Sequence, residues 1–262
     1  MSKRGVLLRK LCICFVLIVV FLLGCSSNEK DTEVELVISA ATSLQDALAP
    51  IQKMYEEENT NVKLTFNFGS SGTLQKQILQ GAPVDLFFSA AKNQFEELVE
   101  KGEIHDTESV DLLKNKLVLI TPKDSQFKIK DFESLKQLDT ARISIGTPET
   151  VPAGFYAKET LTNLGLWEVL EGKIVFAKDV RQVLSYVETK NVEVGIVYAT
   201  DARNSEKVNI IATASKSLHT PIIYPVGILK DSKEHVAAKD FLTFLQSEEA
   251  LKQFEKYGFT IE

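Results

Sequence analysis

Cysteine is confined to the start of the chain: Cys12, Cys14 and Cys25 are the three it has. The remainder therefore carries no disulfide, no thiol nucleophile and no cysteine-based metal site. Histidine is as scarce, and His105, His219 and His235 stand too far apart for ligand spacing. They read as isolated surface side chains. Positive charge is also short, with 30 lysines and arginines against 36 aspartates and glutamates and a formal net charge of −6. Lys3, Arg4, Arg9 and Lys10 all fall at the very start, so the rest of the chain is more acidic than that total. Such a balance argues against nucleic acid or an anionic membrane surface as a partner. It also means that an anion site here must work locally, through backbone dipoles and hydroxyls. Long apolar runs are missing except for Leu11–Leu23, which is shorter than the roughly 20 residues of an ordinary spanning helix.

That run, with the basic residues before it, has the layout of a secretion signal over residues 1–24. It ends in LLGC, which resembles a lipoprotein processing box with Cys25 as the lipidated residue. Leu23 departs from that pattern, since a smaller residue is commoner there. Residues 25–32 then form a short polar tether. The expectation is an extracytoplasmic domain, lipid-anchored to the cell membrane.

Beyond the tether, the chain is organised around Phe66–Gln77. Val62, Leu64, Phe66 and Phe68 alternate with polar residues, the period-2 mark of a half-buried strand. Gly69, Ser70, Ser71, Gly72 and Thr73 come next, and Leu74, Ile78 and Leu79 then fall at helical spacing. A strand, a hydroxyl-rich turn and a helix start offer free N–H groups at the positive end of a helix dipole, a natural place for an anion. Taken alone, the same cluster is an ordinary N-cap.

The pattern recurs. Val34–Ser39 is an apolar strand, followed by Ser43 and a helix with Leu44, Ala47, Leu48, Ile51 and Tyr55 on one face. Ser43 and Asp46 have capping-box spacing, and Pro50 is expected to kink or shorten the helix. Further strands are expected at Val84–Ser89, Leu117–Thr121, Arg142–Gly146, Lys173–Ala177, Val194–Tyr198, Val208–Ala212 and Ile222–Ile228. Phe132–Leu138 reads as a short helix. Pro152 suits the first turn of a helix, which leaves Ala153 and Gly154 as free donors. Asp179 reads as an N-cap ahead of Val180, Val183, Leu184 and Val187, and two helices close the chain. Alternating strands and helices give an α/β fold with mainly parallel sheets, better divided into two lobes than spread in one sheet. In such folds ligands sit at the carboxyl ends of strands. Ser43, Ser71, Ala153 and Val180, each at a helix start, and Tyr198 at a strand end could share one cleft.

At this point the chain resembles the molybdate-binding proteins of molybdate ABC importers. The likeness is carried by AATSLQDAL (Ala40–Leu48), FGSSGTLQKQI (Phe68–Ile78) and GAPVDLFFSA (Gly81–Ala90). It continues in VPAGFYAKE (Val151–Glu159), DVRQVL (Asp179–Leu184), GIVYATD (Gly195–Asp201) and the terminal YGFTIE. The resemblance implies a two-lobe periplasmic binding protein fold of type II, with the ligand cleft between lobes and the chain crossing twice. Lobe one would be 33–114 plus 225–262, and lobe two 115–224. It implies a non-enzymatic component that captures molybdate, or tungstate, and passes it to a membrane permease with its ATPase. No cofactor is implied; molybdenum enters only as the bound oxyanion. The implied ligands are the hydroxyl and N–H of Ser43 and Ser71, the N–H groups of Ala153 and Val180, and the Tyr198 phenol. Gly72 departs from relatives that read SSS. Within GSSGT the choice falls on Ser71, with Ser70 and Thr73 holding the turn, and Ser71→Ala is expected to cost little stability.

Such a set has donors and no acceptor carboxylate, so it suits a fully deprotonated dianion and rejects protonated phosphate. Arg181 is either a direct ligand or a salt bridge across the lobe surface, with Asp179 or Asp201 as partner. Sulfate on the same fold is the alternative ligand. An enzyme is disfavoured, because GSSG is not a GxSxG elbow and no histidine is placed to act as base. A monomer is expected, since closure must stay free.

Overall fold

The structure, a computed structural model, describes residues 33–138 and 141–262. The expected leader, the tether and Cys25 lie outside the described residues. Among those described, no helix is long and apolar enough to cross a membrane.

The first half runs β1 (Val34–Ala41), a 3-10 turn (Thr42–Leu44), α1 (Gln45–Glu58), β2 (Val62–Gly69), α2 (Ser71–Leu79), β3 (Leu86–Phe88), α3 (Lys92–Glu100), β4 (Ile104–Lys114) and β5 (Leu117–Pro122). After a 3-10 turn at Glu133–Gln137 come β6 (Ile143–Gly146), α4 (Pro152–Asn163), α5 (Trp167–Leu170) and β7 (Ile174–Ala177). The rest runs α6 (Val180–Glu188), β8 (Val194–Tyr198), α7 (Ala199–Arg203), β9 (Val208–Thr213), β10 (Ile223–Leu229), α8 (His235–Leu245), α9 (Glu248–Lys256) and β11 (Thr260–Ile261).

These strands form two sheets. The first has the order β11-β4-β10-β3-β1-β2, and the second β7-β6-β8-β5-β9. Both are mixed rather than mainly parallel. In the first, β1 is parallel to β2 and β3, while β10 is antiparallel to β3 and β4. In the second, β6 is parallel to β7 and β8, while β5 is antiparallel to β8 and β9. Every antiparallel pairing involves a strand that flanks one of the two crossings of the chain. It leaves the first sheet along β4 and enters the second along β5; it leaves along β9 and returns along β10. The crossings touch where Asn115 N–H meets Ile222 O at 3.3 Å.

Helix α1 runs unbroken through Pro50. The proline removes one ladder bond, but Ala47, Leu48, Ile51 and Tyr55 are buried on both sides of it. Burying side chains such as Leu48 and Ile51 contributes about 1.5–3 kcal/mol each, enough to hold the helix through the defect. The alternation in β2 is real but shallow: Leu64 is buried, whereas Phe66 and Phe68 are half-buried and stack at 5.4 Å. This is an edge strand, so one flank stays open. The run at β3 is buried on both faces. Leu86 and Phe88 enter the main core, while Phe87 joins a second cluster with Leu74, Ile78, Phe95 and Leu98 under α2 and α3. The 11-residue strand β4 was not legible in the sequence. Most of it is solvent-exposed or half-buried and polar, and only Ile104, Leu112 and Leu113 are buried.

Candidate functional site

Register brings the expected turns together. Ala41 at the end of β1 pairs with Gly69 at the end of β2, so the Ser43 and Ser71 turns leave the same edge of the first sheet. Gly146 at the end of β6 pairs with Ala177 at the end of β7, so α4 and α6 start at one edge of the second sheet. Strand β8 is parallel to β6 and ends at Tyr198 on that edge. Gly154 seats α4 there. A Cβ on it would lie 2.0 Å from Gly146 O, so only glycine lets the helix start approach the strand end so closely.

The two edges meet. Gly72 N–H donates to Thr150 O at 2.9 Å. The Tyr198 hydroxyl donates to Ala90 O at 3.1 Å. Arg181 Nε donates to Thr42 O at 3.1 Å, and its guanidinium pairs with Asp46 at 2.5 Å. Arg181 is thus a salt bridge between the sheets' edges, but its partner is Asp46, not Asp179 or Asp201. The capping box expected at Ser43 and Asp46 does not form, because Asp46 is held by Arg181 and Ser43 faces elsewhere. No side chain caps α1. Asp179 does cap α6, accepting from Gln182 N–H at 2.8 Å.

Around the candidate ligands, backbone bonding begins one or two residues late. It is Gly72, Gly154 and Gln182 whose N–H groups find partners, to Thr150 O, Val151 O and Asp179 Oδ1. Ser71, Ala153 and Val180 precede them in the first turns of their helices, where N–H groups have no intrahelical acceptor. All of the candidates are buried: Ser43, Ser71, Ala153, Val180 and Tyr198. Ser71 Oγ accepts from Ala90 N–H at 2.9 Å, which leaves its own hydrogen to donate. Ser70 Oγ donates instead to Thr73 Oγ1 at 2.8 Å, a bond that ties the turn to itself.

Sequence reading missed a second layer. Ser43 Oγ lies 3.0 Å from the Tyr224 hydroxyl. Asn115 Nδ2 donates to Tyr224 Oη at 3.1 Å and to Thr200 Oγ1 at 2.9 Å. The Tyr198 and Tyr224 rings are 5.7 Å apart. Burial raises both phenols well above the usual tyrosine range, so both stay neutral. Tyr224 gave no signal, because a tyrosine inside a strand beside Pro225 reads as core. Ala90 did give one, as the second residue after β3 at the same sheet edge as the serine turns.

Carboxylates near these turns are engaged or isolated. Asp46 holds Arg181, and Asp179 holds its helix. Asp201 is buried in α7 with neither carboxylate oxygen hydrogen-bonded. Burial pushes it up to about 7, with Arg181 opposing. Among the described residues, no group of three or more His, Cys, Asp and Glu could hold a metal ion. His105 is exposed, His219 is half-buried against the Tyr156 ring, and His235 Nε2 lies 2.9 Å from Glu108.

Two mixed sheets, a chain that crosses twice and facing donor-rich edges define a class: two-lobed α/β proteins that bind a solute between lobes. Residues 36–260 match the bacterial extracellular solute-binding protein family, and the chain belongs to it. It is 53% identical over 243 residues to YvgL of Bacillus subtilis, a protein assigned as an ABC transporter substrate-binding lipoprotein, covering 91% of this chain and 93% of that one. It is 39% identical over 230 residues to the molybdate-binding protein ModA of Haemophilus influenzae, covering 86% and 90%. Among solved structures, the periplasmic molybdate-binding protein of Azotobacter vinelandii superposes with a TM-score of 0.75 at 25% identity, covering 87% and 99%. The fold is the two-lobe type II binding-protein fold, and the family is one of solute binders rather than enzymes.

Proposed function

We propose that this chain is the substrate-binding component of an ABC importer and that its solute is molybdate, with tungstate as a second ligand. One observation supports this most directly: four helix or turn starts from two sheets face each other with neutral donors. Ser43 and Ser71 would act from one lobe, and Ala153, Val180 and Tyr198 from the other. The Ser71 hydroxyl, relieved of its acceptor duty by Ala90 N–H, would donate to an oxyanion. The N–H groups of Ala153 and Val180 would add helix-start donors. Tyr198, which donates to Ala90 O here, would exchange that neutral acceptor for the charged oxyanion, since charge-assisted hydrogen bonds are about twice as strong.

Capture works by differential contact. A dianion bridging both lobes stabilises the closed arrangement over the open one. The lobes would be 33–114 with 225–262, and 115–224. Each charge-assisted bond contributes roughly 1.5–3 kcal/mol, and several together offset desolvation of the ion without a counter-charge. The membrane permease and its ATPase would take the ion from the closed protein. Cys25, lipidated after removal of residues 1–24, would hold the monomer at the outer surface of the cell membrane. Isothermal titration with molybdate, tungstate, sulfate and hydrogen phosphate tests the reading. Tight binding of the first two alone is expected, and failure to bind any tetrahedral oxyanion would overturn it.

A further inference from the structure

A serine hydroxyl serves an anion only if its hydrogen is free, and that depends on what stands behind its oxygen. Behind Ser71 stands a backbone N–H, which fixes the sense of the bond. Behind Ser43 stands the Tyr224 hydroxyl, which could donate or accept. The ambiguity is resolved further back. Lys116 N–H donates to Asn115 Oδ1 at 2.8 Å, so the amide oxygen faces the backbone and the NH2 faces inward. Its two hydrogens go to Thr200 Oγ1 and Tyr224 Oη. Tyr224 therefore accepts from Asn115, and the Tyr198 hydroxyl, the other phenol beside it, is turned to Ala90 O, so within hydrogen-bond distance the Tyr224 hydrogen meets Ser43 Oγ at 3.0 Å. Ser43 then accepts from Tyr224 and keeps its hydrogen for the ligand.

We propose that Asn115 is a positioning residue for ligand specificity: from the crossing between β4 and β5, it orients a relay through Tyr224 that makes Ser43 a donor. The proposal rests on the reading of Ser43 as an oxyanion ligand. Donor sense matters because the same hydroxyl turned round would present a lone pair. It would then repel a bare dianion and accept a hydrogen from a protonated one. Asn115 also sits where its own N–H meets Ile222 O, so the donor sense of the site is set at the hinge.

Asn115→Asp tests this with almost no change of shape. A carboxylate accepts from Lys116 N–H but cannot donate to Tyr224. Tyr224 would donate to it, and Ser43 would donate to Tyr224. Molybdate affinity should fall roughly tenfold to hundredfold, the worth of one charge-assisted hydrogen bond. The preference for molybdate over hydrogen phosphate at pH 8 should narrow as well. The added charge would itself repel a dianion, so the same change is made in a Tyr224→Phe background. There the relay is already cut, and the Asp substitution should cost less than about threefold. Asn115→Ala, which removes the donor without a charge, should fall between wild type and Asn115→Asp and keeps the series readable if the carboxylate variant folds poorly. Equal losses in both backgrounds, or unchanged affinity in both single variants, would overturn the relay. If Ser43→Ala binds molybdate as tightly as wild type, the site reading itself has failed, which is a separate result.

Discussion

Ser71 is proposed to carry two bonds at once. Its oxygen accepts from the buried Ala90 N–H, which leaves its hydrogen for the proposed ligand. Ser71→Ala should therefore weaken molybdate binding roughly tenfold to hundredfold and, against the expectation from sequence, also lower stability by about 1–3 kcal/mol, because Ala90 N–H is left unpaired. Titration with chemical denaturation reads both losses; Ser70→Ala, which removes only the hydroxyl bond to Thr73 Oγ1, should show neither. Asp201 makes a pH prediction. Its folded value is raised by burial to about 7, above the unfolded value near 4. The folded state thus binds more protons between those values, and the carboxyl's contribution to stability is full below about pH 4 and lost as pH rises through about 7. Asp201→Asn should raise the melting temperature at pH 8 and change it little at pH 4. A gain of equal size at both would contradict a buried, charge-penalised carboxylate.

Between the elements of the two sheets, the start of α2 approaches the loop before α4 closely. A Cβ on Gly72 would lie 2.8 Å from both Thr150 Cα and Thr150 O. Gly72 is thus a fit requirement in this chain for its N–H to reach Thr150 O, rather than a source of turn flexibility. Gly72→Ala should hold the edges apart and weaken the ligand about tenfold or more, mainly through faster release, while the ligand-free melting temperature stays close to wild type. Stopped-flow dissociation checks this. The same contact marks the limit of sequence reading. Helix starts at Ser71, Ala153 and Val180 were legible because glycine, proline and aspartate announce them locally. Tyr224, Asn115 and the Arg181–Asp46 pair were not, because each depends on which residues the fold brings together from distant parts of the chain. Strand β4 was missed for a different reason: its exposed, polar composition carries little period-2 signal.

At the scale of the whole molecule, two lobes are proposed to close on a bare dianion with neutral donors. Among the described residues Arg181, the cation beside the proposed site, is spent on Asp46 and Thr42 O rather than left as a counter-charge. Arg181→Gln should therefore reduce molybdate affinity only through looser closure, by less than about tenfold, and small-angle scattering should show a less complete compaction on binding. A donor-only site also sets specificity by protonation. A hydrogen phosphate ion would bury its own O–H with no carboxylate to receive it, at a cost of about 1–3 kcal/mol, on top of any mismatch in size. The most direct measurement is competitive calorimetric titration of the wild-type protein at pH 8 with molybdate, sulfate and phosphate. Tight molybdate binding that excess phosphate does not displace is the predicted result. Phosphate binding as tight as molybdate would contradict a cage built from donors alone.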